Sequence, residues 1–356
     1  MSESKVPQPE TVIKIIGVGG AGGNAVSHMA SSGPSSFEFI SANTDAQALS
    51  NTLTEKRIQL GASGLGAGSD PVVGREAAIS ERSAIADAIK GADMVFLTAG
   101  MGGGTGTGAA PVVAEVAREL GILTVGVVSK PFAFEGPRRM RVAEEGIATL
   151  ARCVDSLVIV LNSRLEEVLG EDVTQKQAFA AADDVLSKAV TGIAEIITVP
   201  GMVNVDFEDV RTVMRQTGMA MMGSAQHTGD DRAVKAAEEA IACPLLDGSN
   251  LRAARGVLVN IAASEETLKL RETKEVMNMI CSQTSDDAII KFGAVYDESL
   301  GDAMRVTVVA TGLNRPSDFA AGRRSPMTRP LTQPHSVLRQ GGSQMTARPV
   351  SRQSGS

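Results

Sequence analysis

Two glycine-rich stretches in this chain have the composition needed to bind phosphate through backbone N–H groups. Residues 100–108 read GMGGGTGTG, with six glycines among nine residues, and residues 17–22 read GVGGAG, which matches GxGxxG. Each follows a short apolar run and precedes a helical pattern. Glycine allows a turn to bring several N–H groups onto one anion, and the N-terminus of the next helix adds partial positive charge. Two such turns at one sheet edge predict a site for a di- or triphosphate.

The positive charge at this site must have a source other than a P-loop lysine, because GxxxxGK[ST] is absent from the chain. Backbone amides and a divalent cation are therefore expected to neutralise the phosphates, with Thr105 and Thr107 as additional hydroxyl donors. Two alternatives stay open for the first stretch taken alone. One is a tight turn without a ligand, and the other is the turn of an NAD(P)-binding oxidoreductase in which Asp45 contacts the ribose.

Short apolar runs alternate with helical patterns through the first two hundred residues, which predicts βαβ units and a parallel, Rossmann-like sheet. The predicted strands span residues 12–18, 37–42, 94–100, 123–129 and 156–162. A helix of about 25 residues follows, with Thr174 and Gln177 as a capping box and Pro200-Gly201 at its end. Beyond this helix, strands are predicted at residues 256–262, 288–296 and 303–311 and helices at 233–242 and 267–281. They form a smaller α+β unit that ends near Leu313.

The sequence therefore predicts five segments in an α/β chain. They are a flexible N-terminal segment (1–10), a nucleotide-binding domain (11–173), a central helix with the start of a loop (174–203), a C-terminal domain (204–313) and a disordered basic tail (314–356). The last segment contains seven arginines and one aspartate without apolar periodicity, which is typical of disorder.

The overall composition argues against several classes of function. The net charge is -7 and the body has no basic stripe, so we do not expect a nucleic-acid partner. No apolar run reaches 18 residues, so a membrane span is not expected. The three cysteines are far apart, without CxxC pairs or clustered histidines, and we expect them to be reduced, buried residues of a cytoplasmic protein.

Several motifs together resemble the tubulin/FtsZ family of GTPases, in order and near the family's spacing over residues 11–313. They are GVGGAGGNAV, SANTDAQAL, GLGAGSDPVVG, GMGGGTGTGAAPVV, KPFAFEGPRRM and NVDFEDVRTVM. The resemblance implies the fold of that family, with a parallel-sheet GTPase domain, a long central helix and a smaller C-terminal domain. It also implies a cytoskeletal protein of the bacterial division site that binds GTP and GDP with Mg²⁺, hydrolyses GTP and polymerises head to tail with itself.

The resemblance further implies a role for individual residues around the nucleotide. Phosphate contacts are expected from two groups, Gly20, Ala21, Gly22, Gly23 and Asn24 on one side and Gly104, Thr105 and Gly106 on the other. Asn43 and Asp45 are expected near the γ-phosphate, with Asp45 on Mg²⁺. Glu135 and Arg139, four apart and so on one face of a helix start, are expected to reach the ribose and phosphates.

The guanine base is expected to contact three further side chains. Asn162 and Asp183 are implied to read the guanine edge, because a carboxylate suits the donors at N1 and N2. Phe179 is implied to stack near the base. It also fits the apolar stripe of the central helix, so core packing is the alternative for this residue.

The resemblance places Asn204, Asp206 and Asp209 in a catalytic loop after the central helix. If Asp183 touches the base, the 17 residues to Pro200 place this loop roughly 25 Å away. The loop is then expected to serve the nucleotide of the next subunit in a head-to-tail filament. A purely structural reading makes Asp206 a helix N-cap and Asp209 a partner of the helix dipole, and both roles can coexist. A family member that assembles without hydrolysis is a further alternative.

The chain departs from the usual family pattern at three places. The loop before Gly64 is shorter by about three residues, and Leu161, Ser163 and Glu166 differ from the common residues on the base side. The final residues, TARPVSRQSGS, do not match the apolar and acidic peptide with which family members bind membrane-tethering proteins. Division-ring and tethering partners are therefore expected without being identified.

Overall fold

The computed structural model describes residues 11–32, 37–170, 172–199, 201–216, 218–243, 246 and 251–313. The predicted N-terminal segment (1–10), the predicted basic tail (314–356) and the predicted helix end at Pro200 lie outside these residues. No helix among the described residues is both long enough and apolar enough to cross a membrane.

Strands and helices alternate through most of the described chain. The strands are β1 (Ile13–Val18), β2 (Glu38–Asn43), β3 (Lys56–Gln59), β4 (Met94–Gly100), β5 (Leu123–Lys130), β6 (Ser156–Leu161), β7 (Gly201–Val203), β8 (Met219–Thr228), β9 (Gly256–Ala263), β10 (Ile289–Tyr296) and β11 (Ala303–Leu313). The helices are α1 (Gly19–Ser32), α2 (Ala46–Ser50), α3 (Pro71–Ser80), α4 (Arg82–Ile89), α5 (Thr105–Glu119), α6 (Pro137–Leu150), α7 (Asn162–Leu169), α8 (Gln175–Thr198), α9 (Phe207–Met214), α10 (Arg232–Ala242) and α11 (Leu270–Gln283).

The first six strands form a parallel sheet in the order β3-β2-β1-β4-β5-β6. This is the strand order of a doubly wound dinucleotide-binding fold. The parallel pairing follows the predicted βαβ pattern, whereas the four-residue β3 was not predicted. Helices cover both faces, so β1 is buried along its whole length and consists of apolar residues and one lysine. The order reverses between β1 and β4, and both strands end at the same edge. Ligands of open α/β sheets bind at such a switch point.

The sheet continues without interruption into the second half of the chain. Strand β6 pairs in parallel with β8 through Leu157↔Met219 and Val158↔Ala220, and the order then runs β8-β11-β9-β10-β7. The sequence predicted β9, β10 and β11, but it predicted neither the three-residue β7 nor β8, whose residues MAMMGSAQHT include few β-branched ones. The C-terminal α+β unit is therefore an extension of the nucleotide-domain sheet.

Helix α8 is the predicted central helix, and its start has the predicted capping box. Gln177 N donates to Thr174 Oγ1 at 3.3 Å, and Thr174 N donates to Gln177 Oε1 at 2.9 Å. Its buried stripe includes Leu186, Val190 and Ile193. Phe179 is 43% exposed and does not belong to this stripe, so the core reading of Phe179 is wrong.

The described cysteines carry free thiols, as expected, but they are not all buried. Cys153 is buried, Cys243 is half-buried and Cys281 is exposed near the end of α11. The expectation of three core cysteines is therefore correct for Cys153 and wrong for Cys281, whose position on the solvent side of an amphipathic helix the apolar flanks did not reveal.

We expect Gly108→Ala to destabilise the protein by about 1–3 kcal/mol or more, because overpacking against backbone cannot be relieved by a rotamer change. A Cβ at Gly108 would lie 2.0 Å from the carbonyl oxygen of Pro71, where α5 packs on α3. Urea unfolding measures the effect. Gly103→Ala, where a Cβ meets nothing within 4 Å, is the matched control. Equal stability of the two variants would contradict this packing argument.

Candidate nucleotide-binding site

The two glycine-rich turns touch each other at the carboxyl ends of β1 and β4. A Cβ on Gly19 would lie 3.0 Å from Gly106 N, and a Cβ on Gly100 would lie 2.7 Å from Cβ of Ala21. Helix α1 begins directly after β1, and α5 begins after Gly104. The turns, their amides and two helix N-termini thus converge on one place, which is the arrangement predicted from the sequence.

The glycines of these turns are required for two different reasons. At Gly22 and Gly106 a Cβ would lie 2.4 Å from the carbonyl oxygens of Thr98 and Gly100, so only glycine fits the protein there. At Gly20 and Gly103 a Cβ would meet no protein atom within 4 Å. These two positions leave open space beside the backbone, where an anion can approach the amides.

The five residues predicted on the first side of the phosphates differ in their exposure to solvent. Gly20, Ala21 and Asn24 are exposed in the first turns of α1, whereas Gly22 and Gly23 are buried. Neither α1 nor α5 has an acidic residue in its first turn, so the positive end of each helix dipole is not neutralised locally.

The two predicted threonine donors differ in their surroundings. Thr107 is buried, and its Oγ1 accepts a hydrogen bond from Gly102 N at 2.8 Å, so this hydroxyl closes the turn from inside. Thr105 is half-buried at the start of α5, and its Oγ1 lies 2.6 Å from Oγ1 of Thr44. Thr105 is the one of the pair that faces the open side of the turn.

Asn43 is the last residue of β2, and Asp45 lies two residues beyond it at the same sheet edge. The buried Asn43 accepts from Asp45 N through Oδ1 at 3.2 Å, and Asp45 Oδ1 accepts from Ala48 N at 3.0 Å as the N-cap of α2. Among the described residues, no three His, Cys, Asp or Glu side chains cluster as a metal site. Mg²⁺ prefers one or two carboxylates together with phosphate oxygens, and a single half-exposed Asp45 fits that pattern.

The GLGAGSD loop, residues 64–70, packs over the second glycine turn. Ala46 N donates to Gly64 O at 3.0 Å, and Gly66 N donates to Thr44 O at 3.1 Å. A Cβ on Gly104 would lie 2.8 Å from Cβ of Ala67. Ser69 has φ 63°, a left-handed conformation that is unusual for a residue other than glycine. This loop is therefore held against both the segment that follows β2 and Gly104.

Asn162 and Asp183, which the sequence predicts to contact the base, are both shielded from water, Asn162 fully and Asp183 in part. Asn162 is buried at the start of α7, and its Oδ1 has no hydrogen-bond partner in the described protein. Burial raises the pKa of the Asp183 carboxyl to about 6, while the nearby charge of His28 lowers it. An unpaired buried acceptor costs free energy unless a ligand donates to it, so Asn162 Oδ1 suits an N–H group of a base. The half-buried Asp183 carboxylate can also accept from such groups.

Phe179 forms an aromatic cluster with two residues of the loop after β5. Its ring lies 5.2 Å from that of Phe132 and 6.4 Å from that of Phe134, in both cases edge to face. Phe134 is 56% exposed, so the cluster presents apolar ring surface to solvent. Such a surface can stack on or flank a purine.

Glu135 and Arg139 form an ion pair, but not on one helix face as predicted. Arg139 Nε lies 3.1 Å from Glu135 Oε2, while Glu135 Oε1 accepts from Phe132 N. Glu135 ends a 3₁₀ turn, and Gly136, with φ 96°, separates it from α6. A Cβ on Gly102 would lie 2.7 Å from the carbonyl oxygen of Arg139, so the start of α6 packs directly on the second glycine turn.

The three predicted catalytic residues lie beyond the end of α8. Asn204 Oδ1 accepts from Gly201 N at 2.9 Å, and Asp206 caps α9 by accepting from Asp209 N at 2.7 Å. Asp209 pairs with Lys291 Nζ at 2.7 Å. The structural role of Asp206 as the N-cap of α9 is therefore confirmed. This role is compatible with a contact between the exposed loop and another copy of the chain.

One chain does not bring this loop to the glycine turns. Strand β7 is an edge strand of the sheet, seven steps from β4, which corresponds to about 34 Å at about 4.8 Å per step. Asp183 and Thr198 are 15 residues apart on α8, or about 22 Å. The glycine turns and the acidic loop are therefore on separate poles of the protein.

Sequence reasoning overlooked Thr44, which lies between the predicted Asn43 and Asp45. Its side chain is buried, and its contacts join β2, the GLGAGSD loop and Thr105. The available signal was its position inside the NTD triplet directly after a strand.

Comparisons with known proteins agree over both halves of the chain. The family model for the Tubulin/FtsZ family GTPase domain matches residues 12–170, and the model for the FtsZ family C-terminal domain matches residues 218–314. The cell division protein FtsZ of Azotobacter vinelandii is 56% identical over 316 residues, covering 88% of this chain and 80% of the relative. The protein of that name from Neisseria meningitidis serogroup A is 51% identical over 332 residues, covering 91% and 84%.

Solved structures show the same fold. An empty FtsZ dimer from M. jannaschii has a TM-score of 0.82 and 42% identity, covering 86% of this chain and 90% of that one. CetZ2 from Haloferax volcanii, a GTPgS-bound protofilament, has a TM-score of 0.74 at 21% identity, covering 87% and 96%. The second likeness supports the fold alone.

Asp183 should make the stability of the nucleotide-free protein depend on pH. Its pKa is about 6 in the folded chain and about 3.9 in an unfolded chain, so the folded state loses stability as pH rises from about 4 through 6. Asp183→Asn should therefore match the wild type near pH 4 and be more stable at pH 8 by at most ~3 kcal/mol.

Chemical denaturation at several pH values measures this difference. Asp184→Asn is the matched control, because Asp184 is a neighbouring residue of α8 that is paired with Lys188 on the surface. A difference between Asp183→Asn and wild type that does not change with pH would contradict the prediction.

Proposed function

The chain belongs to the tubulin/FtsZ family as an FtsZ-type GTPase of the cell-division cytoskeleton, and we propose that its GTPase centre forms only where two copies meet head to tail. The observation that carries this proposal is the separation of the glycine turns from the acidic loop, about 34 Å across the sheet from β4 to β7. In this arrangement one copy holds GTP, and the next copy supplies Asn204, Asp206 and Asp209. The products are GDP and phosphate.

The nucleotide-holding pole is built from the ends of parallel strands. Two turns hold the phosphates with backbone amides, one hydroxyl and two helix dipoles. The first turn consists of Gly20, Ala21, Gly22, Gly23 and Asn24, and the second consists of Gly104, Thr105 and Gly106. The openness beside Gly20 and Gly103 supports this assignment. Glu135 and Arg139 lie against the second turn and serve the ribose and phosphates.

Asn43 and Asp45 face the terminal phosphate, and Asp45 is the residue that would hold Mg²⁺. When bound, the cation neutralises phosphate charge that this chain cannot neutralise with a P-loop lysine. Asp45 Oδ1 accepts from Ala48 N as the cap of α2, and this hydrogen bond fixes the carboxylate two residues beyond the end of β2.

The base is read by polar atoms and flanked by an aromatic ring. Asn162 Oδ1 and the Asp183 carboxylate accept from the N–H groups of guanine, and Phe179 flanks the ring. Adenine offers a lone pair at N1, which a carboxylate would repel. These acceptors and the family membership favour GTP over the NAD(P) alternative, although the strand order is shared with dinucleotide-binding proteins.

The acids of the following copy orient the attacking water at the γ-phosphate. Glutamine does this in another class of GTPase, so a carboxylate or amide that accepts from water is chemically adequate. The loop is exposed at Asn204 and Asp206, as this role requires. Asp209 is held by Lys291 from β10, which fixes the loop on a strand.

A contact that joins one pole to the opposite pole of the next copy does not close, and it generates a filament. We assign the filament to the cytoplasmic face of the division site, tethered by partners that this chain does not identify. We propose the same division of the chain as the sequence predicts: a nucleotide domain (11–173), a central helix with the start of the loop (174–203), and a C-terminal domain (204–313). Within the second segment, α8 ends at Thr198 and Gly201–Val203 forms β7.

Mixing two inactive variants should restore GTP hydrolysis. Thr105→Ala should weaken GTP binding, and Asp209→Ala should keep GTP affinity while losing turnover. In mixed filaments, an Asp209→Ala copy holds GTP beside a Thr105→Ala copy with an intact loop. Phosphate release should then exceed that of either variant alone by about tenfold, and wild-type turnover per molecule should rise steeply with concentration.

The control mixture is Asn204→Ala with Asp209→Ala, because both variants are damaged in the same loop and should not complement each other. Sedimentation reports whether the variants co-assemble. Co-assembly without restored hydrolysis, or full wild-type turnover in unassembled protein, would contradict the shared site.

Asp183→Asn should change the base preference from guanine to xanthine. Xanthine carries a carbonyl at position 2, which accepts from an asparagine amide, whereas guanine carries an amino group there. We expect GTP affinity to fall by about tenfold to a hundredfold and xanthosine triphosphate affinity to rise correspondingly.

Competition binding of the two nucleotides measures the change, with Asp184→Asn as control. Equal loss of both nucleotides would assign Asp183 a structural role, and tight NAD binding without GTP binding would overturn the proposed function.

A further inference from the structure

We infer that Thr44 is a positioning residue of the nucleotide site, which orients the Thr105 hydroxyl as a donor to phosphate. The inference rests on the proposed function, because it needs phosphate beside Thr105. It extends that function to a residue that contacts no nucleotide itself and acts only through its neighbour.

The two hydroxyls are close enough for a strong hydrogen bond. Oγ1 of Thr44 and Oγ1 of Thr105 are 2.6 Å apart, and either can donate. Thr44 is 2% exposed, whereas Thr105 is half-buried and lies at the start of α5. The pair is therefore shielded on the Thr44 side and accessible on the Thr105 side.

Phosphate removes the ambiguity about which hydroxyl donates. A threonine hydroxyl has one hydrogen and two acceptor lone pairs, and an ionised phosphate oxygen only accepts. When Thr105 donates its hydrogen to phosphate, its oxygen can only accept from Thr44. The chain Thr44 to Thr105 to phosphate then has one direction, and each hydrogen bond polarises the next.

The backbone of Thr44 is fixed independently of the hydroxyl. Its carbonyl oxygen accepts from Gly66 N at 3.1 Å and from Gln59 Nε2 at 3.1 Å. Thr44 therefore joins the loop that carries Asp45 and the GLGAGSD loop to the second glycine turn. Loss of the hydroxyl alone should leave these backbone contacts in place, so its effect should appear in nucleotide binding.

The test compares hydroxyl-bearing and hydroxyl-free residues at position 44. GTP affinity is measured with Mg²⁺ at protein concentrations below assembly, for Thr44→Val, Thr44→Ala and Thr44→Ser. We expect about tenfold weaker binding for valine and alanine and less than about twofold for serine. Thr54→Val is the matched control, because Thr54 belongs to another buried threonine pair, with Thr52 at 3.3 Å, that does not contact Thr105.

A double-mutant cycle separates positioning from simple structural loss. In a Thr105→Val background, Thr44→Val should weaken GTP binding by less than about twofold, because there is no hydroxyl left to orient. Additive losses, failure of serine to rescue relative to alanine, or an equal effect of Thr54→Val would overturn the inference. Wild type that fails to bind GTP would instead refute the proposed function, so the two failures are distinguishable.

Discussion

The close approach of two backbone turns, with no side chain between them, is the constraint on which the nucleotide pole depends. Gly22 lies against the carbonyl of Thr98, Gly106 lies against that of Gly100, and Gly19 lies beside Gly106 N. Any larger residue would separate the ends of β1 and β4 and the helices that start there. Because the turns stay in contact, their amides and helix dipoles act on one small volume, and the protein needs no lysine at that point.

The rest of the fold holds this pole at a fixed distance from the acidic loop. The eleven-stranded sheet of the described residues runs unbroken from β3 to β7, and α8 packs beside it with a buried stripe. A long helix and a continuous sheet are both rigid elements, which makes the separation of the poles a property of the fold itself. Under the proposed function, GTP hydrolysis therefore takes place at the contact between two copies of the chain.

Much of this arrangement was accessible from the sequence because it depends on local rules. The βαβ pattern, both glycine turns and the capping box of Thr174 and Gln177 follow from periodicity, glycine content and side-chain chemistry. The methionine-rich β8 was not predicted, because its place in the sheet comes from pairing with β11. Gly136 breaks the helix between Glu135 and Arg139, and the exposure of Phe179 depends on a distant loop, so spacing alone could not reveal either.

The unlike poles also have a consequence for the extremities of a filament assembled as proposed. The last copy at one extremity turns its glycine turns outward, with no neighbour to supply Asp209, and so it retains intact GTP until another copy arrives. The copy at the other extremity has a spare acidic loop and an already enclosed nucleotide. Subunit addition and loss would therefore differ chemically between the two ends. An interior subunit would hold GTP when it has just been enclosed and GDP once hydrolysis has taken place.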